Sequence, residues 1–348
     1  MESQVRNVQP FYWLLGSAAL VVVIAGIRAA QTLVVPFLIA AFLAVICTPA
    51  LQWLQKKGAP SWLAILAVIF AISIVVLAVV VITTGSINEF IQQAPKYETI
   101  LEARESEMFE WVKEKYSSFA DELTERLNSG AVIGYIKTVL LSLSSAFSYV
   151  FLVLLTVLFM LLEAAGLPRK LLALSGGKPA MLENAEKVRE AIVHYISLKT
   201  MLSLLTGLLV GILVMLLKID FPILWGMMAF LLNYIPNVGS ILAAIPAVLL
   251  GLVQHGMPTA LEAAAGYVAI NIAIGNVVEP RVMGKGLGLS TLVVFVSLVF
   301  WGWVLGPVGM LFSVPLTMIV KIVMEGFEET RWLAVLLGSN PESEGGKA

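Results

Sequence analysis

Two uncharged stretches of this chain are too long to be single membrane helices. The first runs 41 residues from Phe221 to Leu261, and the second runs 35 residues from Gly286 to Val320. At 1.5 Å per residue the first would make roughly 60 Å of helix, about twice the hydrocarbon thickness of a bilayer. Each must fold back or break. Each also carries a Pro and Gly cluster near its middle: Asn233-Tyr234-Ile235-Pro236-Asn237-Val238-Gly239 in one, Gly306-Pro307-Val308-Gly309 in the other. Proline removes a backbone donor and glycine admits turns. Irregular backbone at membrane depth survives only against protein or a water-filled cavity, and paired broken segments are the sequence pointer to a carrier's site. The pattern predicts a membrane transporter.

Composition sets the class around these runs. Hydrophobic residues make up 59% of the chain and charged residues 13%, against about 25% charged in a soluble domain. Further uncharged runs lie at 7–27, 29–55, 58–88, 138–162, 200–217 and 263–278. They predict an all-α polytopic membrane protein; a β-barrel is disfavoured because its strands alternate, whereas these runs are apolar on every side. The N-terminal stretch Phe11 to Ile27 is at the upper length of a signal peptide, and a retained first helix is expected. The net charge of −1, without a basic patch interleaved with aromatics, gives no basis for nucleic-acid binding. The single cysteine, Cys47, allows no intrachain disulfide. There are two histidines, His194 and His255, and no HExxH, CxxC or GxSxG, so neither an enzyme, a metal site nor a cofactor is expected.

Lys and Arg placement sets the expected orientation. With the N-terminus in the cytoplasm, Lys56 and Lys57 fall inside after two crossings, and a third near 62–82 exports Ser86 to Thr138, which holds ten acidic and six basic residues. A fourth crossing returns Glu163 to Lys199 to the cytoplasm, with six basic and four acidic residues. The chain therefore divides into three transmembrane helices (1–85), an extracytoplasmic amphipathic segment (86–138), a fourth crossing (139–162), a cytoplasmic or interfacial helical segment (163–199), a transport core with both broken runs (200–325), and a cytoplasmic tail (326–348). In 86–138, Leu101, Met108, Val112, Phe119, Leu123 and Leu127 recur at helical spacing. If both long runs are re-entrant hairpins, they enter from opposite faces and Arg281, Lys285 and Lys321 lie inside; if each crosses once as a broken helix, Arg281 and Lys285 fall outside. Positive-inside bias favours hairpins. The runs also resemble one another, Trp225-Gly226 preceding Pro236, Gly239 and Pro246 as Trp301-Gly302 precedes Pro307, Gly309 and Pro315.

From Asn233 the chain reads Asn-Tyr-Ile-Pro-Asn-Val-Gly-Ser-Ile-Leu-Ala-Ala-Ile-Pro, and later Asn276-Val-Val-Glu279-Pro280-Arg281-Val-Met-Gly284-Lys-Gly286-Leu-Gly288-Leu-Ser290. It continues Phe300-Trp301-Gly302-Trp303-Val-Leu-Gly306-Pro307-Val-Gly309-Met and Ser313-Val-Pro315-Leu. These composite motifs resemble the autoinducer-2 exporter family, over a stretch from the first span to about Glu325. The resemblance implies about eight membrane segments per protomer, a homo-oligomer expected to be pentameric, elevator-like movement, and a bacterial inner-membrane location with both termini cytoplasmic. It implies export of autoinducer-2, a small polyhydroxylated signal. The same family is thought to include sodium/proton antiporters, so cation/proton exchange stays open, as does an oligomeric scaffold or channel using 86–138 for partners.

A carrier of a polyol must replace hydration with neutral donors and acceptors. Asn233, Asn237, Ser240, Asn271, Asn276, Ser290 and Thr291 are the polar groups available, with Tyr234 and Trp301 as ring-stacking surfaces. Pro236, Gly239, Gly306, Pro307 and Gly309 shape the breaks and are gating candidates. The turn-forming role competes with substrate contact for the prolines and glycines, and helix capping or interhelical bonding competes for the asparagines. Glu279 and Arg281 read as a boundary ion pair, Glu262 as a carboxylate near a helix start, and both carboxylates as coupling candidates. Gly284 to Gly288 lacks P-loop spacing and reads as a connector.

Overall fold

The computed structural model describes residues 9–115, 129–146, 149–164, 179–236, 238–283 and 289–338. Among them regular structure is helical throughout: α1 (Gln9–Ala29), α2 (Gln31–Lys56), α3 (Ser61–Lys115), α4 (Ser129–Ala146), α5 (Val150–Ala164), α6 (Pro179–Leu216), α7 (Pro222–Leu232), α8 (Gly239–His255), α9 (Met257–Asn271), a π-helical segment (Ile272–Val278), α10 (Glu279–Met283), α11 (Thr291–Leu311), α12 (Ser313–Glu325) and α13 (Arg331–Leu337). Among the described residues, five stretches are long and apolar enough to cross a bilayer: Gln31–Lys56, Ser61–Leu101, Arg189–Leu216, Met257–Val282 and Thr291–Leu311. Large apolar side chains such as Leu14, Val22, Phe70, Val75 and Leu77 face outward, as a lipid-solvated protein permits. The protein is an all-α polytopic membrane protein.

The first long run is a hairpin. At 1.5 Å per residue, α7 with 11 residues and α8 with 17 are about 16 and 25 Å long, each short of a ~30 Å hydrocarbon core. Their outer ends meet. The Asp220 amide donates to Gln254 Oε1 at 3.1 Å, Gln254 donates back to the Asp220 carboxylate, and His255 Nε2 lies 2.9 Å from the Lys218 carbonyl oxygen. A single crossing would hold these ends a membrane apart. α7 runs antiparallel to α6 with backbones in contact, since a Cβ on Gly207 would stand 2.6 Å from the Gly226 carbonyl oxygen. Such small-residue seams are how helices associate where lipid offers no hydrophobic drive.

At this mouth Lys218 and Phe221 both adopt left-handed backbone, φ 57° and 61°. For an L-residue that costs roughly 1–2 kcal/mol. Lys218 is exposed, so Lys218→Gly is expected to raise the thermal midpoint by about 1–3 °C, measured on the detergent-solubilised protein.

Three apolar cores organise the rest. The largest wraps the first hairpin with the far half of α3 (Ile87, Phe90, Tyr97, Leu101), α4 (Ile133, Ile136, Leu140), α6 (Val210, Val214) and α9 (Ala263, Tyr267). A second joins α2, the near half of α3 and α5 through Ala40, Cys47, Ile65, Val68, Val153 and Val157. The third joins α2, α6 and the second broken run through Phe42, Tyr195, Ile196, Phe312, Val314 and Met318.

Several expected boundaries fall inside helices. α3 is one 55-residue helix, about 80 Å long, running through position 85. α4 runs through 138, and α6 joins the polar segment before Lys199 to the crossing after it in one 38-residue rod. Phe119, Leu123, Leu127, Asn237, Gly284 to Gly288 and the tail beyond 338 lie outside the described residues.

Candidate functional site

α6 is the post on which both broken runs lean, touching α7 on one side and α12 on another, with α2, α9 and α10 also against it. Its residues Lys199, Thr200 and Ser203 form a short polar strip, spaced to share one helical region. Asn233 closes α7 and donates through Nδ2 to Ser203 Oγ at 3.0 Å. Tyr234 donates to Thr200 Oγ1 at 2.7 Å, and Thr200 passes its own proton to the Ile196 carbonyl oxygen. The tip of the first hairpin is thus tied to α6 by uncharged hydrogen bonds.

Glu279 meets the same strip. Lys199, 4% exposed, donates Nζ to both carboxylate oxygens at 2.7 and 2.9 Å. This corrects the expected pairing with Arg281, which is exposed and has no ion-pair partner among the described residues. Residues two apart on a helix point to different faces, so Glu279 and Arg281 cannot pair locally. Glu262, exposed on α9, lies 17 residues from Glu279, about 25 Å along the helix axis, and is not part of this constellation. Just before Glu279 the chain widens into the π-helical segment that contains Asn276, which is exposed. Such segments concentrate at functional sites.

Both tips require glycine by close approach. A Cβ on Gly239 would stand 1.8 Å from the Leu232 carbonyl oxygen, and one on Gly309 would stand 1.9 Å from the Trp301 carbonyl oxygen. In the first tip the Pro236 carbonyl accepts from Val238 N at 2.6 Å, turning the chain. In the second, Gly306 leaves the helix at φ 68°, ψ −154°, ahead of Pro307, with Gln31 Nε2 of α2 against it. Trp301 Nε1 donates to Thr317 Oγ1 at 3.0 Å, so α11 and α12 fold back on one another. The two runs therefore share a Trp N–H that donates within its own hairpin (Trp225 Nε1 to the Asp220 carbonyl, 2.8 Å) and a tip glycine against the preceding helix.

The other expected residues separate. Ser290 is the N-cap of α11, accepting from Val293 N, with Thr291 exposed as the first helical residue. Ser240 and Asn271 line a groove between α8 and α9. Among the described residues no group of three or more His, Cys, Asp or Glu stands close enough to hold a metal ion. Sequence reading missed Lys199, Thr200, Ser203 and Gln31. The signal for the first three was a cation abutting an uncharged run, followed by hydroxyls at one and four residues; nothing in the sequence singled out Gln31.

The AI-2E family transporter profile matches residues 18–329. The chain is 43% identical over 325 residues to the Escherichia coli protein named AI-2 transport protein TqsA, covering 91% of this chain and 93% of that one. It is 40% identical over 332 residues to a putative transport protein of Haemophilus influenzae, covering 93% and 95%, and 36% identical over 339 residues to E. coli YhhT, a putative transport protein, covering 97% of each. The profile match and the similarity over nearly the whole length place this chain in the AI-2E transporter family.

Proposed function

We propose that this protein exports autoinducer-2 across the bacterial inner membrane by alternating access. The observation that carries the reading is the uncharged hydrogen-bonding strip of Thr200, Ser203, Asn233 and Tyr234 at a hairpin tip, in a chain 43% identical to a protein named for AI-2 transport. A polyhydroxylated cargo exchanges water for such groups without needing a charge. The Lys199–Glu279 pair closes the strip at one end, and release of the pair accompanies opening. Asn237, Asn276 and the second tip at Trp301, Gly306, Pro307 and Gly309 complete the path. The termini lie in the cytoplasm, and protomers assemble as a homo-oligomer, with five as the expected number.

One observation favours a second reading. A carboxylate held against a buried lysine is the arrangement a cation- or proton-coupled exchanger uses, since protonation or a cation at Glu279 would release Lys199.

Liposomes holding purified protein separate the two. Autoinducer-2 flux that persists without imposed gradients supports facilitated export. Sodium-dependent proton movement with no signal flux would replace it with exchange.

A further inference from the structure

The mouth of the first hairpin is held against α3 by a polar cluster remote from the strip on α6. Tyr97, 1% exposed on the far half of α3, points its hydroxyl at the Asp220 carboxylate, 2.8 Å away. Asp220 stands just before α7, and Gln254, near the end of α8, donates to the same carboxylate and, at 3.4 Å, to the Tyr97 oxygen. Among the described residues the other side-chain hydrogen bond between α3 and this hairpin runs from Thr83 to the Met227 sulfur, a weak acceptor, at 3.6 Å. Around Tyr97 the contact is apolar, with Phe90 stacked on its ring and edge-on to Phe221. Apolar packing is non-directional, so the bond to Asp220 is what fixes the register of hairpin on helix.

That bond is built to be broken. The Tyr97 hydroxyl also lies 2.9 Å from Gln93 Oε1, one turn back on its own helix. The Gln93 amide nitrogen donates to Glu89 Oε1 at 3.1 Å, which keeps the amide oxygen turned toward Tyr97. A phenol carries one proton, so the two acceptors compete for it. A buried donor left without an acceptor is costly, and here departure of Asp220 hands the proton to Gln93 instead of orphaning it. Asp220 in turn keeps Gln254 and faces water. Both partners are satisfied apart as well as together.

Position gives the bond a role. From Lys199 to Leu216, where α6 ends, is about 25 Å of helix, most of the ~30 Å thickness of a hydrocarbon core. The Lys199–Glu279 pair and the Tyr97–Asp220 bond therefore stand near opposite ends of α6. Alternating access requires one closure at each end, never open together. We propose that Tyr97 and Asp220 form the second gate of this carrier, opposing Lys199–Glu279, with Gln93 holding the Tyr97 proton while the mouth is open. Both closures are made in this structure, which is the occluded arrangement. The gate rests on the alternating-access reading above and is independent of the cargo's identity.

The test reads the mouth without cargo. Ala94, 8% exposed, lies between Phe90 and Tyr97 on the buried stripe of α3, and Ala94→Cys in the full-length protein in nanodiscs reports opening by its rate of modification with a water-soluble maleimide. Cys47, buried in a different core, is the internal control for general loosening. Tyr97→Phe, which keeps the ring, should raise the rate about tenfold, as loss of a hydrogen bond to a charged group predicts. Gln93→Met should act in the opposite direction and lower it about threefold, because the freed hydroxyl would then have no second acceptor. Lys199→Met with Glu279→Leu should also lower it, and adding Tyr97→Phe to that pair should bring it back toward the wild-type rate. A purely structural bond would move Tyr97→Phe and Gln93→Met in the same direction, with a lower unfolding midpoint and faster Cys47 modification, and would overturn the proposal. An unchanged rate in Tyr97→Phe would do the same. The opposed pattern in a protein that carries no autoinducer-2 would keep the gate and remove the cargo; autoinducer-2 flux without the pattern would keep export and remove the gate.

Discussion

Gly309→Ala is expected to lower transport about a hundredfold and to destabilise the protein by about 3 kcal/mol. The added methyl would stand 1.9 Å from the Trp301 carbonyl oxygen, and no rotamer change relieves a clash between backbone atoms. The tip must open by more than an ångström, which strains the Trp301 to Thr317 hydrogen bond. Gly239→Ala repeats the insult at 1.8 Å from the Leu232 carbonyl and dislodges Asn233 and Tyr234 from α6. Two controls bracket the effect. Gly134, on α4, has nothing within 4 Å of where a methyl would stand, so its alanine variant should gain up to about 1 kcal/mol from helix propensity. Gly302 faces only the flexible end of Met310 and should fall between. Flux in liposomes, with folding checked by size exclusion and thermal unfolding, reads all four. Wild-type flux in both tip variants would sink the idea that the tips are set by these contacts.

Glu279→Gln is expected to cost about 3–5 kcal/mol, because it strands the buried Lys199 ammonium. Lys199→Met should cost less, since Glu279, at 23% side-chain exposure, keeps access to water. The informative variant is the pair Lys199→Met with Glu279→Leu. Replacing both partners of a buried ion pair by apolar groups is often neutral for stability. If the pair opens and closes during transport, the double variant should unfold near the wild-type temperature yet carry little flux. Full flux in the well-folded double variant would reduce the pair to a structural contact. Loss of gradient dependence with flux retained would instead mark Glu279 as the coupling group.

The breaks were legible because length conflicted with a bilayer: 41 uncharged residues with Pro236 and Gly239 at the middle cannot be one helix, but a hairpin and a single broken crossing stayed open until the far ends of α7 and α8 were found in contact. Gly239 and Gly309 read as break-shaping residues in competition with substrate contact, and the close approach of the Leu232 and Trp301 carbonyls was visible only in the packing. What the sequence concealed was mostly long-range. Lys199 and Glu279 stand 80 residues apart, and the nearer Arg281 was the natural partner until helix geometry turned it away. The π-helical turn at 272–278 has no local composition signal, since its residues suit an α-helix equally well. The continuity of α3 past position 85 was masked by charges and by Pro95, which a helix tolerates when the surrounding core holds it. Ser240 and Asn271 were recognised as polar groups in apolar surroundings, but only the packing of α8 on α9 separates them from Asn233.

α3 is a stiff rod glued at two places. Ile65 and Val68 fix its near half to α2 and α5, while Ile87, Phe90 and Tyr97 fix its far half to the first hairpin. A helix bends far more readily than it stretches, because its length is held by a hydrogen bond at every residue. Sliding of the first hairpin along the α3 axis relative to α2 and α5 would therefore have to break one of the two patches, whereas bending of α3 between Ile72 and Thr83 would not. The second hairpin, attached to α1, α2 and α6, belongs to neither of the two α3 patches among the described residues, so α3 does not tie it to α5.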